Sequence, residues 1–333
     1  MISVVVLNWN GKHHLDTCLS SLFRQTLPDS EVILVDNGST DGSVEFVRSS
    51  FPDVRIIALG GNLGFCAGNN VGIRAARGEL IALLNNDTEV DPNWLEELHM
   101  AALRRPDAGC FASKMLLFHQ RSVLDDAGDE FHSAGFMSKR GWFESDGPGY
   151  DLEAEVFGVC GGAALYRRTV LDDVGLFDET FFANGEDVDL SFRARLRGYT
   201  CLYVPAAVVY HKSGASIGQT TRWFYWVRRN QLWVLMKNMP WQLIAKYAPE
   251  IVVYNVMSLI YHSLQGRGRL IWRAYFDALL DLPRIAKERG VIQSRRTASV
   301  WDIDRVLTKS SLIKRMSRPI TKREITGQLY KLK

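Results

Sequence analysis

The sequence predicts an α/β domain with a largely parallel central sheet, followed by a helical C-terminal region. Three observations carry this expectation. Short aliphatic runs alternate with segments of helical spacing along the first two thirds of the chain. Three of those runs end in polar clusters, Asn8-Trp9-Asn10, Asp36-Asn37-Gly38-Ser39 and Asn85-Asn86-Asp87, and in parallel sheets ligands sit beyond the carboxyl ends of strands. After Gly218 the composition changes to one rich in Trp, Tyr, Arg and Lys.

In chain order, "ISVVVLNWN" reads as a strand, and "HHLDTCLSSLFRQT" places Leu15, Cys18, Leu19, Leu22 and Phe23 at helical spacing. "EVILVDNGSTDGS" is a second strand entering a polar turn, "SVEFVRSSF" a helix, and "VRIIAL" a third strand. "AGNNVGIRAARG" reads as a helix and "LIALLN" as a fourth strand. A helix is expected from Trp94 to Arg104, then less regular sequence to residue 150. "VFGVCGGAALYRRTVLDDVG" has a Gly-Gly pair before a helical or strand-like run. "EDVDLSFRARLRGY" is a helix ending at Gly198, and "TCLYVPAAVVYH" a strand ending at His211. Beyond residue 218 the pattern is helical, and its cleanest apolar run, "IVVYNVMSLIYHSL", is shorter than the roughly 18–20 residues of a spanning helix. Basic, aromatic amphipathic helices suit a membrane interface; packing on the preceding domain is the alternative.

The bulk numbers are those of a globular protein: 333 residues, 47% apolar and 23% charged. Five dispersed cysteines without a C-x-x-C pair argue for reduced thiols, and against a disulfide framework or zinc site. "MISVVVLNWNG" enters a strand at once, so a secretion signal is not expected. The net charge of +3 conceals a division: residues 1–211 hold 17 Lys and Arg against 30 Asp and Glu, residues 212–333 hold 23 against 7. The acidic part is not that of a nucleic-acid binder, and the basic part forms no RNA-binding motif. Its basic residues can meet anionic or phosphorylated lipid.

The candidate chemistry rests on Asp36, Asp87, Glu186, Asp187 and His211. An apolar run that breaks into Asn85, Asn86 and Asp87 without Gly or Pro either presents polar groups to a ligand or forms an Asx turn before the helix at Pro92. Asp87 and His211 make a sparse pair of metal ligands, suited to an ion that completes its shell from substrate phosphates; the imidazole favours Mn²⁺ slightly over Mg²⁺. A histidine after a strand is, however, more often structural. Acids in a first helical turn also have a plain explanation in the helix dipole. "GGNLGFCAGNNVGI" matches neither a P-loop nor G-x-G-x-x-G, although its glycines permit close approach to a phosphate or sugar.

Six segments in order, "VVVLNWNG", "VDNGSTDGS", "NLGFCAGNNVGIRAARGELIALLNNDTEVDPNWL", "GVCGGAALYRRTVLDDVGLFDETFF", "GEDVDLSFRARLRGY" and "VYHKSGAS", resemble glycosyltransferase family 2, and within it the rhamnosyltransferase-like branch. The resemblance covers roughly residues 1–215; the "RN…KN-P" region after it matches less specifically. It implies a GT-A nucleotide-sugar-binding domain over 1–215 and a basic, aromatic helical region over 216–333. Asn85-Asn86-Asp87 takes the place of the family's D-x-D motif, with Asp87 the metal-binding acid and His211 completing the coordination of Mn²⁺ or Mg²⁺. Asn replaces the first Asp, so Asn85 is expected on ribose or phosphate. Asp36 matches the acid that reads the base, with Leu7 and Asn8 lining its pocket, Asn86 nearby, and Asn62 and Asn69 or Asn70 near the ribose or donor sugar.

Asp187 matches the catalytic base of an inverting transfer, Glu186 assists by binding acceptor, and Gly161 and Gly162 line the acceptor cleft. The resemblance favours a dTDP-sugar, dTDP-L-rhamnose first, over UDP- or GDP-sugars. It also implies a lipid-linked or saccharide acceptor and a cytoplasmic enzyme held peripherally on the inner face of the membrane. A nucleotidyltransferase is disfavoured, since "LNWNGKHH" offers only Lys12 to a triphosphate. A non-catalytic glycan-binding protein on the same fold is the other rival.

Overall fold

The computed structural model describes residues 1–213 and 221–309. Its first half alternates as the hydrophobic pattern requires: β1 (Ile2–Asn8), α1 (Lys12–Leu22), β2 (Ser30–Asp36), α2 (Ser43–Ser50), β3 (Arg55–Ala58), α3 (Gly64–Ala75) and β4 (Leu80–Asn85). Then come β5 (Thr88–Val90), α4 (Trp94–Arg104), β6 (Ala108–Leu117), β7 (Gln120–Asp126), β8 (Asp129–Phe131), β9 (Met137–Lys139) and β10 (Ala154–Val156). β11 (Ala163–Arg167), α5 (Arg168–Val174), α6 (Glu186–Leu196) and β12 (Thr200–His211) complete this part. Five helices follow: α7 (Thr221–Asn238), α8 (Trp241–His262), α9 (Gly268–Leu280), α10 (Leu282–Ser294) and α11 (Val300–Val306). The boundary expected at 215/216 lies outside the described residues.

The main sheet runs β10-β12-β6-β11-β4-β1-β2-β3, with β5 on β12 and β7 on β6. Strands β3, β2, β1 and β4 are parallel, as expected. Beyond β4 the sheet is mixed: β11 is antiparallel to both β4 and β6, while β6 and β12 pair in parallel. Side chains of β1 alternate between two cores. Val5 joins Ile33, Val35, Ile73 and Leu83 beneath α3, while Val4 and Val6 join Leu15, Leu19, Leu34 and Trp94 beneath α1 and α4.

Residues 105–150, read as less regular, contain β6 to β9. The reason is physical. β6 lies between two strands and is buried on both faces, so it shows no alternation, and Gly109, Ser113 and Lys114 interrupt its apolar run. Lys114 is tolerated there because Asp146 and Asp151 meet its ammonium at 2.9 and 3.0 Å. β12 carries Pro205 mid-strand, at a register break against β6 between Val204 and Val208. Beyond the break, β12 pairs with β5 and sets His211 opposite Thr88.

The apolar run expected to be too short to span a membrane belongs to a longer helix. α8 has 22 residues, Gly266 at φ +75° kinks the chain between it and α9, and the segment Trp241–Leu280 holds a stretch long and apolar enough, by length and composition, to cross a membrane.

The approach of α3 to the sheet depends on Gly72, where a Cβ would lie 2.3 Å from Val5 Cγ1 and 3.0 Å from Val35 Cγ2. Gly72→Val is therefore expected to lower the urea midpoint by an amount equivalent to about 1–3 kcal/mol. Gly60→Ala, where nothing lies within 4 Å, is the control and should leave the midpoint in place.

Candidate functional site

The carboxyl ends of β1, β2 and β4 lie side by side, with Asn8 opposite Asp36 and Leu7 opposite Asn85. Asn8 is fully buried and organises this edge. Its amide donates to Asp36 Oδ1 at 2.9 Å and Ser39 Oγ at 3.1 Å, and its carbonyl accepts from Asn86 Nδ2 at 2.7 Å. Gly11 makes room for that bond, since a Cβ there would lie 2.1 Å from Asn86 Nδ2. Asp36 Oδ2 accepts from the Ser39 amide at 2.9 Å. A carboxylate has about four acceptor sites, so Asp36 retains acceptor capacity for a donor such as a base imide.

The next loop is fastened to the same edge. Asn37 donates to Asn62 Oδ1 and to the Gly64 carbonyl, and accepts from the Leu63 amide. Gly38, at φ +78°, lies so near Gly61 that a Cβ would sit 2.5 Å from its Cα. Leu7 is covered by α3 at Gly68, where a Cβ would lie 2.4 Å from Leu7 Cδ1. Asn69 donates to the Phe65 carbonyl one turn back in its own helix. Asn70 instead joins α3 to residues 177–179, through the Phe177 backbone and Glu179; of the pair, only Asn70 is fully engaged away from the edge.

Asp87 and His211 come together as the spacing could not show. His211 Nε2 is 3.2 Å from Asp87 Oδ1, and its Nδ1 is 2.7 Å from Asp125 Oδ2. Burial opposes charge on His211, but hydrogen bonds to Asp125 and Asp87 outweigh it and raise the imidazole to about 9. Burial likewise opposes charge on Asp87, yet His211 holds its carboxyl below the usual range. Among the described residues no three His, Cys, Asp or Glu side chains form a ready-made metal centre. The pair nevertheless fits a divalent ion. Donors on one octahedral ion with bonds of about 2.1 Å stand about 3 Å apart, and a ligand histidine characteristically has its other nitrogen held by a carboxylate. Lys212 and the buried, neutral-leaning His14 adjoin the pair: Lys212 Nζ is 3.4 Å from His14 Nδ1, and burial brings His14 down to about 4.

α6 begins after a loop with positive φ at Phe182, Asn184 and Gly185. Glu186 is buried, and its Oε2 has no hydrogen bond among the described residues. Asp187 is half-buried and faces the Gly-Gly turn, accepting from the Gly161 amide at 3.1 Å. Burial raises both carboxyls, with Asp187 adding to the effect on Glu186. Gly162 lies against Asn85, whose Nδ2 would be 3.1 Å from a Cβ there, and its carbonyl accepts from the Asn85 amide. Asn85, Gly162, Gly161 and Asp187 thus form one continuous wall.

Two groups of residues at this site went unread in the sequence. Asp125, Asp126 and Lys139 lie behind His211, with Lys139 Nζ 3.1 Å from Asp125, and burial raises Asp126 to about 7. Four acids in "VLDDAGDEF" were the available signal. The second group comes from α7. Asn230 donates to the carbonyls of Phe181, Ala183 and Asn184, and Lys237 and Asn238 reach Asp189 on α6. The "RN…KN-P" stretch was their signal.

Residues 3–175 match the model of the family described as glycosyl transferase family 2. The chain belongs to glycosyltransferase family 2. It is 30% identical over 249 residues to N-acetylglucosaminyl-diphospho-decaprenol L-rhamnosyltransferase of Mycobacterium tuberculosis, covering 66% of this chain and 78% of that protein. It is 32% identical over 225 residues to the O-antigen biosynthesis protein RfbC of Myxococcus xanthus, covering 65% of this chain but only 17% of that longer protein. The family 2 chain is thus rhamnosyltransferase-like. Among solved structures, S. aureus TarS aligns with TM-score 0.57 at 19% identity, over 92% of this chain and 54% of TarS. The mannosyltransferase PcManGT of Pyrobaculum calidifontis, in complex with GDP-Man and Mn²⁺, aligns with TM-score 0.52 at 16% identity, over 91% and 85%. These likenesses show the GT-A fold of the family 2 transferase.

Two outcomes are expected. A histidine raised to about 9 contributes stability that is fully present below its unfolded value near 6.5 and is lost as pH rises through about 9. In chelator-treated protein the denaturant midpoint should fall across that window, and His211→Gln should remove this part of the pH dependence. Asn230→Ala should remove its donor from the Ala183 and Asn184 carbonyls, while Phe181 keeps the Ala183 amide and Arg229, at about 1–3 kcal/mol. Amide exchange of residues 182–187 should then quicken while the sheet's protection persists.

Proposed function

We propose that this family 2 protein is an inverting glycosyltransferase of cell-surface glycan synthesis. Its favoured donor is dTDP-L-rhamnose, and its acceptor is a lipid-linked or polysaccharide sugar. The observation that carries the reading is one continuous row of polar groups from the strand ends to α6. Asn8, Asp36, Asn85, Asn86 and Asp87 stand at the strand ends, and Asn85 leads through the Gly162-Gly161 turn to Asp187. The relatives named for O-antigen biosynthesis and rhamnosyl transfer support the donor and the glycan class.

Asp36 accepts the imide N–H of the base, with Asn8 fixing the carboxylate's orientation and Leu7 lining the pocket. Asn62 and Asn69 are assigned to ribose and donor sugar, and Asn85 to ribose or phosphate. Asp87 and His211 would hold Mn²⁺ or Mg²⁺, which when bound supplies charge stabilisation to the leaving nucleoside diphosphate. Asp125 orients His211 for that role.

Asp187 takes the proton of the acceptor hydroxyl as that oxygen attacks the anomeric carbon and the bond to the diphosphate breaks. The raised carboxyl of Asp187 makes it a stronger base than a solvated aspartate. Its partial exposure, against the burial of Glu186, favours Asp187 as base and Glu186 as support for acceptor binding. UDP- or GDP-sugars are the alternative donors, since uracil presents the same imide as thymine.

The test is turnover of dTDP-rhamnose with a lipid-diphosphate sugar acceptor, followed by product stereochemistry. Asp187→Asn should reduce turnover by about 10³-fold or more while nucleotide affinity stays within about twofold. Normal turnover by this variant would remove Asp187 as base. A product that retains the donor's anomeric configuration would overturn the single-displacement mechanism.

A further inference from the structure

The helices after α7 present an apolar face that no described element covers. Along α8 and the turn after it, Val252, Val253, Val256, Met257, Ile260, Tyr261 and Leu264 are exposed, from 41% for Met257 to 81% for Leu264. Their spacing follows one face of a helix for more than three turns. On α9, Trp272, Phe276, Leu279 and Leu280 form a second such stripe. This is far more contiguous exposed apolar surface than a soluble protein ordinarily leaves open.

Charge identifies the occupant. From Ile251 to Phe276 the chain contains no Asp or Glu; Arg267 and Arg269 are exposed between the two stripes, and Arg273, exposed within the second, lies 3.5 Å from Asp277. Aromatic, aliphatic and arginine side chains together on one face are what a bilayer interface with anionic headgroups accommodates. A spanning role conflicts with the rest of these helices. The opposite faces of α8 and α9 bury Leu243, Tyr247, Ile271, Ala274 and Ala278 against the protein. Arg228 of α7 also bonds Tyr254 and His262 of α8, and Glu250 accepts from Ser133 of the catalytic part. Crossing the bilayer would break these contacts and expose buried polar groups to hydrocarbon.

We propose that the outer face of α8 and α9 is a docking surface for an anionic lipid bilayer, on which the protein lies without crossing it. The same helices adjoin the cleft. Tyr225 and Trp226 of α7 contact Asp277 of α9 and Phe182 of the loop before α6, respectively. A bilayer on this face is thus linked through α7 to the loop that precedes Asp187. The docking itself does not rest on the proposed reaction, because it is read from surface residues outside the cleft.

The test is flotation of the full chain with vesicles of neutral phosphatidylcholine, or of the same lipid with about a third phosphatidylglycerol. Binding to the anionic vesicles is expected, weakened by salt and eluted by alkaline carbonate. Arg269→Ala should weaken it about fivefold, since one basic residue near an anionic surface is worth about 1 kcal/mol. Ile260→Asp with Leu264→Asp should lose it by tenfold or more while near-ultraviolet circular dichroism and nucleotide affinity stay unchanged. Failure to float with either vesicle, or flotation unaffected by the double variant, overturns the proposal. Resistance to carbonate overturns the interfacial geometry in favour of a span. A dimer that the double variant dissolves, without flotation, assigns the face to a second copy of the chain; flotation abolished by RNA but insensitive to lipid charge assigns it to nucleic acid.

Discussion

A buried carboxylate, Asp189, ties the molecule together. It sits in the first turn of α6 with no solvent exposure. Arg193 meets it at 2.9 Å, Lys237 at 3.2 Å and Asn238 at 2.7 Å. Burial opposes its charge, and Lys237 and Arg193 more than restore it. An ion left alone at such depth would cost several kcal/mol; Arg193 pairs with it from within α6, and Lys237 and Asn238 of α7 tie the helix that carries Glu186 and Asp187 to α7. Arg193 extends the constraint by donating to the carbonyls of Val174, Gly175 and Leu176, and Lys237 does so by pairing with Asp178 at 2.7 Å. The C-terminal helices are thus part of the cleft's framework and not an appendage to it.

The opposite wall works by a different principle. Its groups are amides and acids at strand ends, each given one orientation by its neighbour: Asn86 to Asn8, Asn8 to Asp36, Asp125 to His211 and His211 to Asp87. Such chains of hydrogen bonds hold a polar surface preorganised, so that little reorganisation is needed when a charged ligand arrives. The two walls meet at Gly162, whose missing side chain lets Asn85 stand against the turn that faces Asp187.

The parallel half of the sheet was legible because each strand is an aliphatic run ending in a polar cluster. The mixed half was not, because β6 is buried on both faces and carries Gly109, Ser113 and Lys114, so neither alternation nor a clean run marks it. Individual candidates such as Asp87 and His211 could be picked out, but their meeting depends on the register break at Pro205 that realigns the end of β12. Asp189 reads in sequence as one more acid favoured by the helix dipole; only the packing of α7 reveals it as an ion-pair centre. Asp125 and Asp126 were hidden for the converse reason, as acids in a stretch whose short strands could not be recognised.

The central claim is that the strand-end wall binds a nucleoside diphosphate with the help of a divalent ion. Calorimetric titration of the full chain with dTDP, UDP and GDP, each with Mn²⁺ and with chelator, tests it most directly. Mn²⁺-dependent binding of one nucleotide over the others is expected, with dTDP the favoured one. Binding of none of the three by folded protein would contradict it.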